Sequence, residues 1–365
     1  MELNRRVRDI VALFFVSRLV MAAIAYLSSL VIVKGAWWQE FGTNIFVRWD
    51  VLWYLRIVKN GYAYIPGHQS SIHFFPLYPL LVKAVSFITG HPLLVGIVLS
   101  NLFLLAASFL LYSLCRQDYD DAVAFGAVRF LLICPVSFFF SIMYSESLFL
   151  LFVLGAFYAA RKRQWMLASV LGFLCALTRS VGFLIVVPLL VEYFHLEGRS
   201  IRQALREIRA DMLWLALVPM GLVTFMLYTY LRFGDMFAPL NQSALWNQRL
   251  AFFTTTFTNP AELALPLFNR IIFYGAVVVT LLLIILLIIK KVRASYVVYC
   301  AWFLWFYVSA SILEAMPRYV SVLFPLYIGA ALLARDKTWD FFLTSTSVVL
   351  LGLFTTLFVN GYWFT

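Results

Sequence analysis

IIFYGAVVVTLLLIILLII, residues Ile271 to Ile289, holds aliphatic and aromatic side chains on every face and no charge. A helix needs roughly 20 such residues to cross the hydrocarbon of a bilayer, and a helix apolar all round cannot rest on a water-soluble core. The stretch therefore reads as a transmembrane helix. Lys290, Lys291 and Arg293 end it abruptly on one side, and Arg270 marks the other.

The same pattern repeats through all 365 residues. The chain is 64% hydrophobic and 12% charged, with mean hydropathy +0.91, so the bilayer is its solvent. Polar and apolar residues do not alternate in segments of about ten, which excludes a membrane barrel. The predicted class is all-α and polytopic, a single domain over 1–365 with about eleven transmembrane helices. They fall near 10–33, 92–115, 122–137, 146–160, 165–178, 181–194, 212–231, 269–289, 296–312, 319–334 and 338–358. The first run lacks a small-residue cleavage pattern and reads as a retained anchor. Cys115, Cys134, Cys175 and Cys300 lie within or at the ends of these helices, without spacing for a bridge or a zinc site.

The net charge of +11 comes from basic residues in short loops. They are Arg5, Arg6 and Arg8; Arg161, Lys162 and Arg163; Arg199 to Arg209; Lys290, Lys291 and Arg293; and Arg335 with Lys337. The positive-inside rule explains them as orientation rather than nucleic-acid binding, and puts them and the N-terminus in the cytoplasm. Two outer segments follow, about 34–90 and 232–267. Within the first, Leu77 to Ile88 is short for a span and follows Pro76 and Pro79, so it reads as a juxtamembrane or re-entrant helix. His195 to Asp211 reads as an amphipathic helix on the inner surface.

Outer acidic residues are few: Glu40, Asp50, Glu146, Asp235, Glu262 and Glu314. Asp50 precedes an interfacial helix with Val51, Tyr54, Leu55 and Val58 on one face and Arg56, Lys59 and Asn60 on another. It could be an N-cap there, or a reactive carboxylate. Glu146, in Tyr144-Ser145-Glu146-Ser147, suits the positive end of the next helix. Arg179, between two apolar runs, needs a partner or an aqueous cavity. Arg318 alone would read as snorkelling; several cations at one level would instead suit a phosphate. Arg18 and Arg129 read as structural, paired with each other or with backbone. His68 and His73 lack a third firm metal ligand, and no Walker loop, His-Glu-x-x-His or Gly-x-Ser-x-Gly occurs.

Trp49-Asp50 followed by Gly61-Tyr62, then Phe74-Phe75-Pro76 with Pro79, Pro135 with Tyr144-Ser145-Glu146, and Arg179-Ser180 with Gly182 resemble the successive motifs of the PIG-V family. That family comprises GPI mannosyltransferase II and its prokaryotic relatives, within the GT-C superfamily of membrane glycosyltransferases. Arg318 before a proline-containing helix resembles the family's C-terminal motif. The resemblance implies a polyprenyl-phosphate sugar donor, an acceptor hydroxyl, an extracytoplasmic active site, and Asp50 as the essential acidic residue.

The expected activity is an inverting hexosyl transfer, most naturally of mannose. Asp50 would serve as base, Arg179 and Arg318 on the leaving phosphate, Glu146 orienting hydroxyls, and Trp49 and His73 contacting substrate. No cofactor or divalent metal is expected, and the partners are the bilayer, the lipid-linked donor and a glycan, lipid or protein acceptor. The rival class is a transporter or flippase of a lipid-linked sugar, against which stands the lack of a repeated half. A non-catalytic subunit of a membrane complex is the third reading.

Overall fold

The apolar runs become helices. The computed structural model describes residues 2–32, 43–194, 209–246, 252–310 and 313–362. The inner-surface helix expected at 195–211 falls outside them except for 209–211, as do Glu40 and residues 311–312. In chain order the α-helices are α1 (Glu2–Ile32), α2 (Asp50–Asn60), α3 (Leu77–Thr89), α4 (Pro92–Cys115), α5 (Asp121–Ile133), α6 (Glu146–Arg161), α7 (Trp165–Thr178), α8 (Val186–Phe194) and α9 (Leu217–Phe233). There follow α10 (Ala238–Leu245), α11 (Phe253–Thr258), α12 (Pro260–Leu263), α13 (Leu267–Ile289), α14 (Ala294–Val308), α15 (Met316–Ser321), α16 (Pro325–Leu333) and α17 (Lys337–Val359). No strand occurs among the described residues.

Five described segments are long and apolar enough to cross a membrane: Arg5–Ile32, Pro92–Cys115, Ala210–Phe233, Leu267–Ile289 and Lys337–Val359. On α13, Ile271, Val278, Val279, Leu282, Ile285 and Ile289 are exposed while Phe273, Val277, Ile284 and Leu287 are buried, so one apolar face meets protein and the other meets lipid. The other expected spans are helical but shorter than these five; 165–178 matches its expected bounds, and proline explains two of the departures elsewhere. The run 122–137 stops at Ile133 because Pro135 forces Cys134 into extended backbone. The run 319–334 divides into α15 and α16 at Pro325, and the Tyr299 hydroxyl donates to the Val322 carbonyl at 3.0 Å in the break.

The chain folds as two units. The first comprises Met1–Lys59, Leu81–Leu151 and Tyr327–Thr365. There α1 packs on α4, α5 and α17. Asp120 caps α5 by accepting from the Val123 N–H at 3.0 Å, and Asp336 caps α17 through Thr338 and Trp339. Arg129 pairs with Asp340, so the two intramembrane arginines do not share one solution: Arg18 takes backbone and serine oxygens instead.

The second unit comprises Asn60–Leu80 and Phe152–Leu326. Its seam is α7 against α9, where a Cβ on Gly221 would stand 2.4 Å from the Phe173 carbonyl oxygen. Small residues let membrane helices approach this closely. Arg293 grips buried Glu192 through Nε and a second nitrogen at 2.7 and 2.8 Å. Ser295 adds a hydrogen bond at 2.6 Å, and Arg161 lies 3.7 Å away. Two of the basic residues predicted to set orientation thus also neutralise a buried carboxylate.

Candidate active site

In the first unit, Asp50 is the first residue of α2 rather than the residue before it. Val51 and Leu52 N–H groups donate to the carbonyls of Arg48 and Trp49, closing the turn into the helix. Trp49 takes φ 43°, the left-handed region, which is an outlier for a bulky residue. Its ring lies 4.9 Å from that of Phe358, and the Arg48 guanidinium donates to the Val359 carbonyl at 3.1 Å. The last helix therefore holds the strained turn that presents Asp50.

Tyr54, one helical turn beyond Asp50, donates from its hydroxyl to Ser145 Oγ at 3.0 Å. That bond ties the helix begun by Asp50 to the turn that ends in Glu146, which is buried at the start of α6. The turn itself is braced from below. Arg18 donates to the Ser137 carbonyl (3.1 Å), Ser137 Oγ (3.0 Å), Ser141 Oγ (2.9 Å) and the Leu132 carbonyl. Ser147 Oγ reaches the Phe140 carbonyl at 2.6 Å, and Asn101 reaches that of Ser141 at 2.9 Å. Trp49, Asp50 and Glu146 thus share one scaffold.

His73, Arg179 and Arg318 belong to the second unit. The segment carrying His73 is pinned to α10: the Gln242 side chain accepts from the Ser70 N–H at 2.8 Å and donates to the His68 carbonyl at 3.2 Å. Tyr64 donates to Asp235 at 2.7 Å. The His73 ring stacks on Trp246 at 5.0 Å and 21°. Its Nδ1 is buried without a hydrogen-bond partner among the described residues.

Arg179 sits in extended backbone where α7 ends, and its carbonyl accepts from the Gly182 N–H at 2.9 Å. A Cβ on Gly182 would lie 2.2 Å from the Cys175 carbonyl oxygen, so only glycine lets the chain fold back here. The guanidinium of Arg179 stands 5.6 Å from the Tyr319 ring, and that of Arg318 stands 5.3 Å from the same ring. Both lie within cation–π range. A planar guanidinium binds phosphate oxygens through paired hydrogen bonds, and each of these two could do so.

Burial, then Arg318, then Arg179 push the His73 pKa down to about 4. The imidazole is therefore neutral at neutral pH. Because its folded pKa lies below the usual 6.5, the stability it contributes is complete above pH 6.5 and is lost as pH falls from there through 4. His73→Gln should flatten the acid limb of the melting temperature between pH 6.5 and 4. Parallel wild-type and variant curves would contradict this assignment.

Sequence alone gives no role to Trp246 or Tyr319 and does not pair Tyr54 with Ser145. Tyr54 reads as part of an apolar face. Among the described residues no group of three or more His, Cys, Asp or Glu is arranged to hold a metal ion.

Apolar helices with lipid-facing sides and a small set of braced ionisable groups define a multi-pass integral membrane protein. The chain belongs to the family described as Mannosyltransferase (PIG-V), whose profile matches residues 16–246. That span includes Trp49, Asp50, His73, Glu146, Arg179 and Trp246; Arg318 lies beyond it. GPI mannosyltransferase 2 of Drosophila pseudoobscura pseudoobscura is 30% identical over 113 residues, covering 28% of this chain and 24% of the fly protein. Two crystal structures of the Archaeoglobus fulgidus oligosaccharyltransferase are also similar. One, tethered with an acceptor peptide, has TM-score 0.49 at 14% identity, covering 96% of this chain and 55% of that one. The other, a complex with Zn and sulfate, has TM-score 0.46 at 14% identity, covering 94% and 52%.

Proposed function

We propose that this chain is an inverting mannosyltransferase that moves a hexose from a polyprenyl-phosphate-linked donor to an acceptor hydroxyl on the extracytoplasmic side, with about eleven spans and the cytoplasmic N-terminus expected from the charge pattern. The acceptor O–H gives its proton to the Asp50 carboxylate as its oxygen attacks the anomeric carbon. The bond from that carbon to the phosphate oxygen breaks, and its electron pair leaves with the lipid phosphate. Arg179 and Arg318 meet the charge that develops there. Glu146 orients hydroxyls near Asp50, while Trp49 and His73 contact substrate. The observation that carries this reading is the pair of guanidiniums over the Tyr319 ring beside the neutral His73.

A monophosphate leaving group can be served by guanidinium alone, so no divalent metal is required. Purified protein in liposomes, given radiolabelled polyprenyl-phosphate mannose and a panel of hydroxylated acceptors, should transfer label both with and without chelator. Arg179→Lys should raise donor KM by about tenfold, since a point charge cannot replace a bidentate fork worth roughly 1.5–3 kcal/mol per charged hydrogen bond. Unchanged donor KM and kcat in both Arg179→Ala and Arg318→Ala would refute the phosphate assignment. Movement of label across the bilayer without transfer would establish the flippase reading instead.

A further inference from the structure

Arg318 reaches its place through a buried and strained turn. Leu313, Ala315, Met316, Pro317 and Arg318 are all buried. The Met316 N–H donates to the Leu313 carbonyl at 3.1 Å, and the Tyr319 N–H to that of Ala315 at 3.0 Å. Between them Ala315 adopts φ 63°, a left-handed conformation that L side chains avoid. Such strain persists only where the surroundings over-determine it.

What holds this turn is a carboxylate from a distant part of the chain. Glu262, on the short helix α12, is fully buried. Its Oε2 accepts from the Leu313 N–H at 2.9 Å, the first donor of the strained turn. Its Oε1 is buried without a hydrogen-bond partner among the described residues; burial pushes the Glu262 pKa up, opposed by the Leu313 N–H and by Arg270. Just before α12, Thr256 Oγ1 donates to the Val308 carbonyl at 2.8 Å and to that of Ala310. The segment Thr256–Glu262 thus clasps the α14–α15 connection at both ends.

We infer that Glu262 is a positioning residue for Arg318: its carboxylate fixes the turn at Leu313 and so sets where the guanidinium stands over Tyr319. The inference rests on the reading of Arg318 as a ligand of the donor phosphate. In the liposome transfer assay, Glu262→Ala should raise donor KM about tenfold and leave acceptor KM unchanged, because an ångström-scale displacement of a positioning group has effects of this size. Glu262→Gln keeps an acceptor oxygen for the Leu313 N–H and should restore donor KM. In an Arg318→Ala background, Glu262→Ala should add nothing further, as expected for residues that act as a unit.

Wild-type donor KM in Glu262→Ala, alongside a raised value in Arg318→Ala, would overturn the positioning role alone. So would an equal effect of Glu262→Ala with and without Arg318, or a Glu262→Gln protein as impaired as the alanine variant. An Arg318→Ala protein with unchanged donor KM and kcat would instead remove the phosphate reading and this inference with it. If Glu262→Ala does not accumulate in the membrane, Glu262→Asp, which withdraws the oxygen by one methylene, takes its place with the same expected readings.

Discussion

An Asp50→Asn protein should fold and insert like the wild type and transfer sugar about a hundredfold more slowly or worse, the usual contribution of a general base. The helix start does not depend on the charge. Arg48 and Trp49 supply the carbonyls that close the first turn, and the buried face of α2 (Val51, Tyr54, Ile57 and Val58) is untouched. Asn keeps the shape and a hydrogen-bonding oxygen, and its loss of charge costs the helix start a charge–dipole term of about 0.3–1 kcal/mol. What Asn cannot do is take a proton. Asp50→Glu keeps that ability but moves the oxygen by a methylene, so it too should be impaired. The left-handed Trp49 beside it is a local cost that stability alone does not call for, and such outliers gather at functional sites. Near wild-type turnover by a well-expressed Asp50→Asn protein would leave Asp50 as a helix-end residue only.

The second large effect is expected at Arg18, on stability. Its guanidinium is buried and donates to the Ser17 hydroxyl and, in and around the turn that carries Ser137–Phe140, to the Leu132 and Ser137 carbonyls and the hydroxyls of Ser137 and Ser141. Arg18→Leu fits the surrounding helices but strands those carbonyls, at about 1–3 kcal/mol for each buried group left without a partner. Arg18→Lys should recover only part of the loss, because three donors on a flexible stem cannot reproduce a rigid planar fork. The check is thermal unfolding in detergent, read beside transfer activity, since the same turn leads to Ser145 and Glu146. An Arg18→Leu protein that melts with the wild type would show that the network contributes nothing.

Much of the fold was legible because the bilayer imposes a local rule. A spanning helix must satisfy its own backbone and be apolar for most of its length, so a run such as 92–115 declares both its type and its ends. The interfacial helix at 50–60 was legible for a similar reason, from one apolar face and one basic face. Where the reading overshot, at 134–137 and at 322–324, a proline had ended the helix within a stretch that stayed apolar.

The candidate site was legible only as a set of residues. Arg179 stood out because a charge beside hydrocarbon is costly, and Asp50, Glu146 and Arg318 through the scarcity of outer acidic residues and the resemblance to the family's motifs. Their partners were not visible. Arg18 finds Ser137 at a separation of 119 residues, Tyr54 finds Ser145 at 91, and Glu262 finds Leu313 at 51. Helical periodicity says which face a side chain occupies but not what packs against it. The sequence by itself thus determined that this is a helical membrane protein with a few misplaced charges. Only the tertiary structure decided that Arg179 and Arg318 each lie within cation–π range of Tyr319, that Trp49 is strained, and that buried Glu262 bonds to the turn before Arg318. Those are properties of contacts between segments distant in the chain, chosen by packing rather than by local propensity.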